Sequence, residues 1–119
     1  MKSVLWVSRH EMTAAQLADL ERIMGGPVRV LPWRDTLRDP TELFPLPEDC
    51  AAIAAVLPPD LLADLFRLAH GVPVLRAVSA REPTGRVLTL PDGRREPEFA
   101  FGHQSWEQLL RAEFVFRRL

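Results

Sequence analysis

The chain has 119 residues, of which 47% are hydrophobic and 26% are charged. These values are ordinary for a folded protein, and the length predicts one domain over residues 1–119. The net charge of -1 gives no overall positive field for a long nucleic acid, and the apolar runs are too short to span a membrane. The single cysteine excludes an intrachain disulfide framework, and no signal peptide is indicated. We therefore expect a cytoplasmic protein with no membrane contact and no cofactor.

The first part of the chain alternates short apolar runs with a helical pattern. Ser3–Ser8 is an apolar run with polar ends, which predicts a buried strand. Thr13 and Gln16 have the spacing of a capping box, so a helix is expected to start there and to end at Gly25-Gly26. Pro27–Leu31 then predicts a second strand.

The pattern continues after a proline-rich interruption. Pro32–Asp49 predicts a long loop with one helical turn near Thr41. Ala51–Leu57 predicts a third strand, a proline pair opens a second amphipathic helix, and Val72–Val78 predicts a fourth strand. The order strand, helix, strand, loop, strand, helix, strand is typical of an α/β protein with a parallel, Rossmann-like sheet.

The last third of the chain has a different character. Apolar runs on both sides of Asp92-Gly93 predict a β-hairpin. The end of the chain fits either a strand over Leu109–Leu119 or a helix over Ser105–Arg111 that leads into a shorter strand. We interpret residues 1–80 as a Rossmann-like core and residues 81–119 as a β appendage.

The strand ends define where a ligand is expected. In an open α/β sheet, ligands bind beyond the carboxyl ends of the strands, at the point where the strand order reverses. The third strand also leads into a helix N-terminus, which favours anions. The residues expected at this edge are Ser8, Arg9 and His10 after the first strand, Leu57 and Pro58 after the third, and Arg76, Ser79 and Arg81 around the end of the fourth.

Arg9 and His10 are the candidate catalytic residues. Arg9 has a planar fork of donors that matches a phosphate, although it can equally be a solvated loop residue. Histidine ionises near neutral pH, so His10 suits general acid–base chemistry or, alternatively, a bond to the backbone at the helix entry. His103 is expected in a turn. The chain has no glycine-rich nucleotide motif, nucleophile elbow or metal-ligand spacing.

The N-terminal residues carry a family resemblance. Val4–His10, followed by Met12-Thr13 and Gln16-Leu17, resembles the N-terminus of the small CRISPR-associated ring nucleases. Ala52–Ala63, an apolar strand that runs through Leu57-Pro58 into a leucine- and alanine-rich helix, is a second similarity. The resemblance covers residues 2–80 discontinuously, through short motifs.

This resemblance implies a function. It implies a homodimer, related to sensor domains for cyclic oligoadenylate, that cleaves this messenger without metal and switches off an antiviral response. The reaction is attack of a ribose 2′-hydroxyl on the adjacent phosphorus. Arg9 would stabilise the developing charge, His10 would handle the proton or position the phosphate, and Ser8 would bind the backbone of the ligand.

Two other functions remain open. The chain can be a non-catalytic protein of a phage or mobile element that sequesters the nucleotide signal. It can also be an adaptor whose β appendage pairs with a partner chain and whose core binds no ligand.

Overall fold

The computed structural model describes all residues from 1 to 119 as an α/β fold. Its elements are β1 (Lys2–Val7), α1 (Ala14–Met24), β2 (Val28–Trp33), a short 3-10 helix (Pro40–Leu43), β3 (Cys50–Ala55), α2 (Pro59–Leu68), β4 (Val74–Thr89) and β5 (Arg95–Gln108). The strands form one sheet in the order β2-β1-β3-β4-β5. The first four strands are parallel and β5 is antiparallel to β4. The α/β class and the mostly parallel sheet expected from the sequence are therefore confirmed.

Local signals account for both ends of α1. The Thr13 side chain accepts a hydrogen bond from the Gln16 amide at 3.1 Å, and the Gln16 side chain accepts one from the Thr13 amide at 2.9 Å. Gly25 ends the helix with φ +79°, a left-handed conformation that strains residues with a Cβ. The predicted capping box and glycine stop are both confirmed.

The core has two layers because both faces of the sheet are covered. Alternate residues of a strand point to opposite faces, so Val4 and Trp6 pack on the α1 side while Leu5 and Val7 pack on the α2 side. Both layers consist of buried apolar side chains. This double burial explains why β1 and β3 are continuous apolar runs instead of alternating ones.

The C-terminal third differs from the expectation in three ways. β4 does not end near Val78 but continues to Thr89, and beyond the other strands it forms a two-stranded ribbon with β5. We call residues 79–103 of this ribbon the arm. The predicted helix over Ser105–Arg111 is wrong, because residues 105–108 belong to β5, where they pair with β4. The predicted last strand is also wrong, because residues 109–119 have no regular structure.

Physical reasons for these differences lie at the ends of the ribbon. The hairpin turn is where the sequence predicts it, with Gly93 at φ +86° and the Leu90 amide donating to the Arg94 carbonyl at 2.8 Å. At the other end, Trp106 is buried against α1 and donates its indole N–H to the Gln16 carbonyl at 3.0 Å. This anchor fixes residues 105–108 as a strand.

The arm gives the molecule an extended shape. The radius of gyration of the whole chain is 17.8 Å, whereas a compact chain of this length has a value of about 13–14 Å. No residue of the arm between 79 and 102 is buried. None of the helices combines the length and the apolar character needed to cross a membrane.

Candidate functional site

A crevice lies at the carboxyl ends of the parallel strands, where the strand order reverses. β2 lies on one side of β1 and β3 lies on the other, so the connections leave the sheet in opposite directions at this point. The crevice has a volume of about 250 Å³. Its walls are Val7–Arg9 after β1, Asp35–Leu37 after β2, and Val56–Pro58 with Leu61 after β3.

Arg9 carries the positive charge of the crevice. Its side chain is exposed, and one terminal nitrogen (Nη2) donates to the Thr36 hydroxyl at 2.7 Å. No carboxylate lies within ion-pair distance of Arg9, whereas Arg34, in the loop after β2, pairs with Glu11 at 3.2 Å. The Arg9 guanidinium therefore keeps unused donors for an anion, while Asp35 places one carboxylate in the wall of the same crevice.

Ser8 and His10 form a tight turn after β1. The Ser8 amide donates to the Trp33 carbonyl at 3.1 Å, and the Ser8 hydroxyl oxygen accepts from the His10 amide at 3.2 Å. The His10 carbonyl accepts from the Trp6 indole at 2.8 Å. The His10 imidazole is exposed, makes no hydrogen bond and does not line the crevice. The turn therefore fixes the backbone of His10 and leaves its ring free.

The N-terminus of α2 closes one end of the crevice. Pro58 is its N-cap residue and gives no side-chain hydrogen bond, and Leu61 in the first turn lines the crevice. The first amides of a helix lack partners within the helix and carry a partial positive charge. The free amides of this helix end and Arg9 both favour an anion, whereas the Asp60 side chain in the first turn of α2 carries the opposite charge.

The remaining predicted residues lie outside the crevice. Arg76 is paired with Glu107, with Nη2 to Oε1 at 2.7 Å, and it lines a neighbouring cavity of about 430 Å³ that shares Val56 and Leu57 with the crevice. Ser79 and Arg81 lie on the arm, since β4 passes the sheet edge without ending there. The structure thus brings together four of the predicted residues: Ser8, Arg9, Leu57 and Pro58.

Two features were not anticipated from the sequence. Thr36 orients Arg9 from a loop 27 residues further along the chain, and no sequence signal marks that contact. His103 lies in β5 and not in a turn, with its Nε2 at 2.8 Å from Asp19 Oδ2 on α1. Only 6% of the His103 side chain is exposed. The hydrogen bond with His103, followed by that with Arg22, lowers the pKa of Asp19.

Comparison with protein-family models, curated proteins and solved structures finds no match. The kind of ligand that suits the crevice therefore follows from its residues. A guanidinium without an ion pair, two hydroxyls and a helix N-terminus suit a phosphate, and Leu57 adds apolar surface. This combination suits a phosphorylated, anionic ligand.

Proposed function

We propose that the chain binds cyclic oligoadenylate at the crevice and cleaves it without a metal ion, which would switch off antiviral signalling in the cytoplasm. The observation that carries this proposal is the position of Arg9, whose charge is unpaired at the point where the strand order reverses. The resemblance of Val4–His10 to the small CRISPR-associated ring nucleases supplies the ligand class, and a Rossmann-like relationship of the sheet belongs to the same proposal.

The proposed chemistry assigns one task to each residue after β1. The ribose 2′-hydroxyl attacks the adjacent phosphorus, a bond forms from the 2′-oxygen to phosphorus, and the bond to the 5′-oxygen breaks. The products are a 2′,3′-cyclic phosphate and a 5′-hydroxyl. Arg9 binds the phosphate and stabilises the charge that grows in the transition state, while in-line positioning supplies much of the rate.

Ser8 and His10 complete the proposed site. The Ser8 hydroxyl oxygen already accepts the His10 amide, so its hydrogen is free to donate to a phosphate oxygen. The exposed His10 ring takes the proton of the 2′-hydroxyl or returns one to the leaving oxygen, after turning toward the crevice. Arg76, Ser79 and Arg81 contact those parts of the ring that extend past the crevice.

A homodimer is part of the proposal. A cyclic oligonucleotide with an even number of repeats has a two-fold axis that a two-fold dimer matches, so that each subunit contributes the same residues. Two copies of Arg9 would then surround the ligand. This local charge compensates for a net charge of only -1 per chain.

The test is incubation of the pure protein with cyclic tetra- and hexa-adenylate in the presence of EDTA, with chromatographic separation of the products. A linear product that ends in a 2′,3′-cyclic phosphate supports the proposal. Absence of binding to either ring overturns it and leaves the adaptor function.

Sequestration of the ligand is the second candidate function. It is favoured by the placement of His10, whose ring does not line the crevice, while Arg9 does. Tight binding with no product in the same experiment, at protein in excess over ligand, identifies this function.

A further inference from the structure

The arm has two chemically different faces. Residues that are paired across an antiparallel ribbon share a face, and the pairs include Arg81 with Phe101 and Val87 with Pro97. The first face, which we call the aromatic face, carries Pro83, Val87, Phe99 and Phe101, together with Arg81 and Arg95. The opposite face, which we call the acidic face, carries Glu82, Glu96 and Glu98.

The aromatic face is exposed in the single chain. Phe101 is 80% exposed and Val87 is 54% exposed. The Arg81 guanidinium covers only part of this surface, at 4.0 Å from the centre of the Phe99 ring. A two-stranded ribbon is marginally stable by itself, and a contiguous exposed apolar patch marks an interaction surface. Both strands of the arm also have a free hydrogen-bonding edge.

The C-terminal segment has no regular structure and no backbone partner. The Leu109 amide donates to the Val74 carbonyl at 2.8 Å, and no backbone hydrogen bond involves residues 110–119, which we call the tail. Phe114 and Phe116, two residues apart, lie on the same side of an extended chain, and Arg117 lies on the other side. Phe116 is 90% exposed.

We propose that the tail of one copy adds as a third strand to the free edge of the arm in a second copy. Phe114 and Phe116 then lie on the aromatic face, and Arg117 lies on the acidic face. On one side of the extended tail lie Arg111, Glu113 and Arg117, with a net charge of +1 that is complementary to the three glutamates of the acidic face, whereas Arg118 lies on the side of Phe116. This pairing gives the tail backbone hydrogen-bond partners. It also covers the aromatic face with apolar side chains and places a positive charge against the acidic face.

The second copy is the occupant because the tail of the same chain lies elsewhere. Phe114 lines the cavity beside Val56 and Leu57, and its ring stacks on Phe116 with centres 6.5 Å apart. Each copy has one arm and one tail, and a reciprocal exchange between two copies closes as a two-fold dimer, whereas a one-way exchange would build an open chain. Four phenylalanines of each copy are still exposed in the single chain and supply part of the ~800 Å² per partner of a standard interface: Phe99, Phe101, Phe114 and Phe116, which are 41–90% exposed.

Sedimentation velocity at tens of micromolar tests the association, and no nucleotide is needed. The wild-type chain is expected to be a dimer, while Phe101→Glu and Phe116→Glu are each expected to be monomers. Both positions are highly exposed, so the fold is retained, which circular dichroism verifies. Ile23→Glu on α1 replaces an exposed apolar residue outside this surface and should remain dimeric. A monomeric wild type, or dimers of both phenylalanine variants, would overturn the proposal.

A charge exchange tests the pairing of tail with arm. Arg117→Glu changes the charge of the tail side that meets the acidic face from +1 to -1, and Glu96→Arg with Glu98→Arg changes the charge of that face from -3 to +1. Each variant alone should self-associate at least about tenfold more weakly than wild type, because like charges oppose each other. An equimolar mixture should recover a heterodimer, since both contacts then join opposite charges. A mixture that associates no better than its components would contradict the pairing, whatever the outcome of the ring-cleavage assay.

Discussion

At the scale of single residues, Arg9 is the side chain on which ligand binding is expected to depend most. Arg9→Ala removes a charge-assisted contact of roughly 1.5–3 kcal/mol, so affinity for the cyclic ligand should fall about ten- to a hundredfold. Cleavage should slow together with binding, because the contact exists in the ground state and in the transition state. Isothermal titration and single-turnover rates measure the two effects.

The matched control for this substitution is Arg67→Ala. Arg67 is an exposed arginine in the last turn of α2, paired with Asp64 at 3.1 Å and outside the crevice. The Arg67→Ala substitution removes the same charge as Arg9→Ala, and it should leave the affinity for the cyclic ligand unchanged. Equal losses for both variants would mean that only the overall charge matters, and the assignment of Arg9 would be wrong.

His10 is expected to affect the rate and not the affinity. His10→Ala removes the exposed ring but keeps the backbone carbonyl that accepts from Trp6, so the melting temperature should stay nearly constant. If the ring moves the proton, the single-turnover rate falls by about a hundredfold or more while the dissociation constant changes little. An unchanged rate would remove His10 from the mechanism and favour sequestration.

At the scale of elements, the Asp19–His103 contact joins α1 to the base of the arm. This contact makes the free energy of unfolding depend on pH. The hydrogen bond from His103 and the contact with Arg22 lower the pKa of Asp19 from its ordinary value of 3.8. The folded state therefore binds fewer protons than the unfolded state as the pH falls below that value. This contribution is fully present above the ordinary pKa and is lost as the pH falls through the lowered one.

Urea denaturation at a series of pH values checks this dependence. The difference in unfolding free energy between the wild type and Asp19→Asn should be largest near neutral pH and should shrink as the pH is lowered toward about 2. Asp35→Asn is the control, since Asp35 is exposed and has no ion pair. A constant difference between wild type and Asp19→Asn across this range would show that the contact is not linked to protonation.

The same elements show how far the sequence predicts the fold. The limits of α1 follow from contacts between near neighbours in the chain, namely the Thr13–Gln16 capping box and Gly25. The continuation of β4 past Val78 does not follow from the sequence pattern, since proline and glycine, here Pro83 and Gly85, are usual in turns. In the structure both lie in an irregular part of the ribbon, where the pairing register shifts between Pro83 and Val87, so the strand continues past them.

The candidate site was predictable to the extent that it depends on the direction of strands. Ser8, Arg9, Leu57 and Pro58 come together because the carboxyl ends of parallel strands share one edge of the sheet. The contact of Arg9 with Thr36 was not predictable, since it depends on the path of an irregular loop. Long-range side-chain contacts of this kind leave no periodic signal in the sequence.

At the scale of the whole molecule, the body and the arm are expected to be energetically separate. Every buried residue lies outside residues 76–105, and the contacts of Trp106 and His103 with α1 lie at or below the base of the arm. Ala80 and Gly102 are directly paired, so an Asn-Gly turn can join them in place of residues 81–101. Removal of the arm should therefore leave the core intact.

The protein without the arm is expected to unfold cooperatively, with a free energy of unfolding within about 1 kcal/mol of the wild type. This difference corresponds to a shift in melting temperature of roughly 4–8 °C or less. The protein without the arm should be a monomer with a radius of gyration of about 13 Å by X-ray scattering, compared with 17.8 Å for the full single chain. If the protein without the arm no longer melts cooperatively, the arm contributes to the stability of the core. Retention of a dimer would place the contact between copies on the body of the protein, because the protein without the arm has no aromatic face to accept a tail.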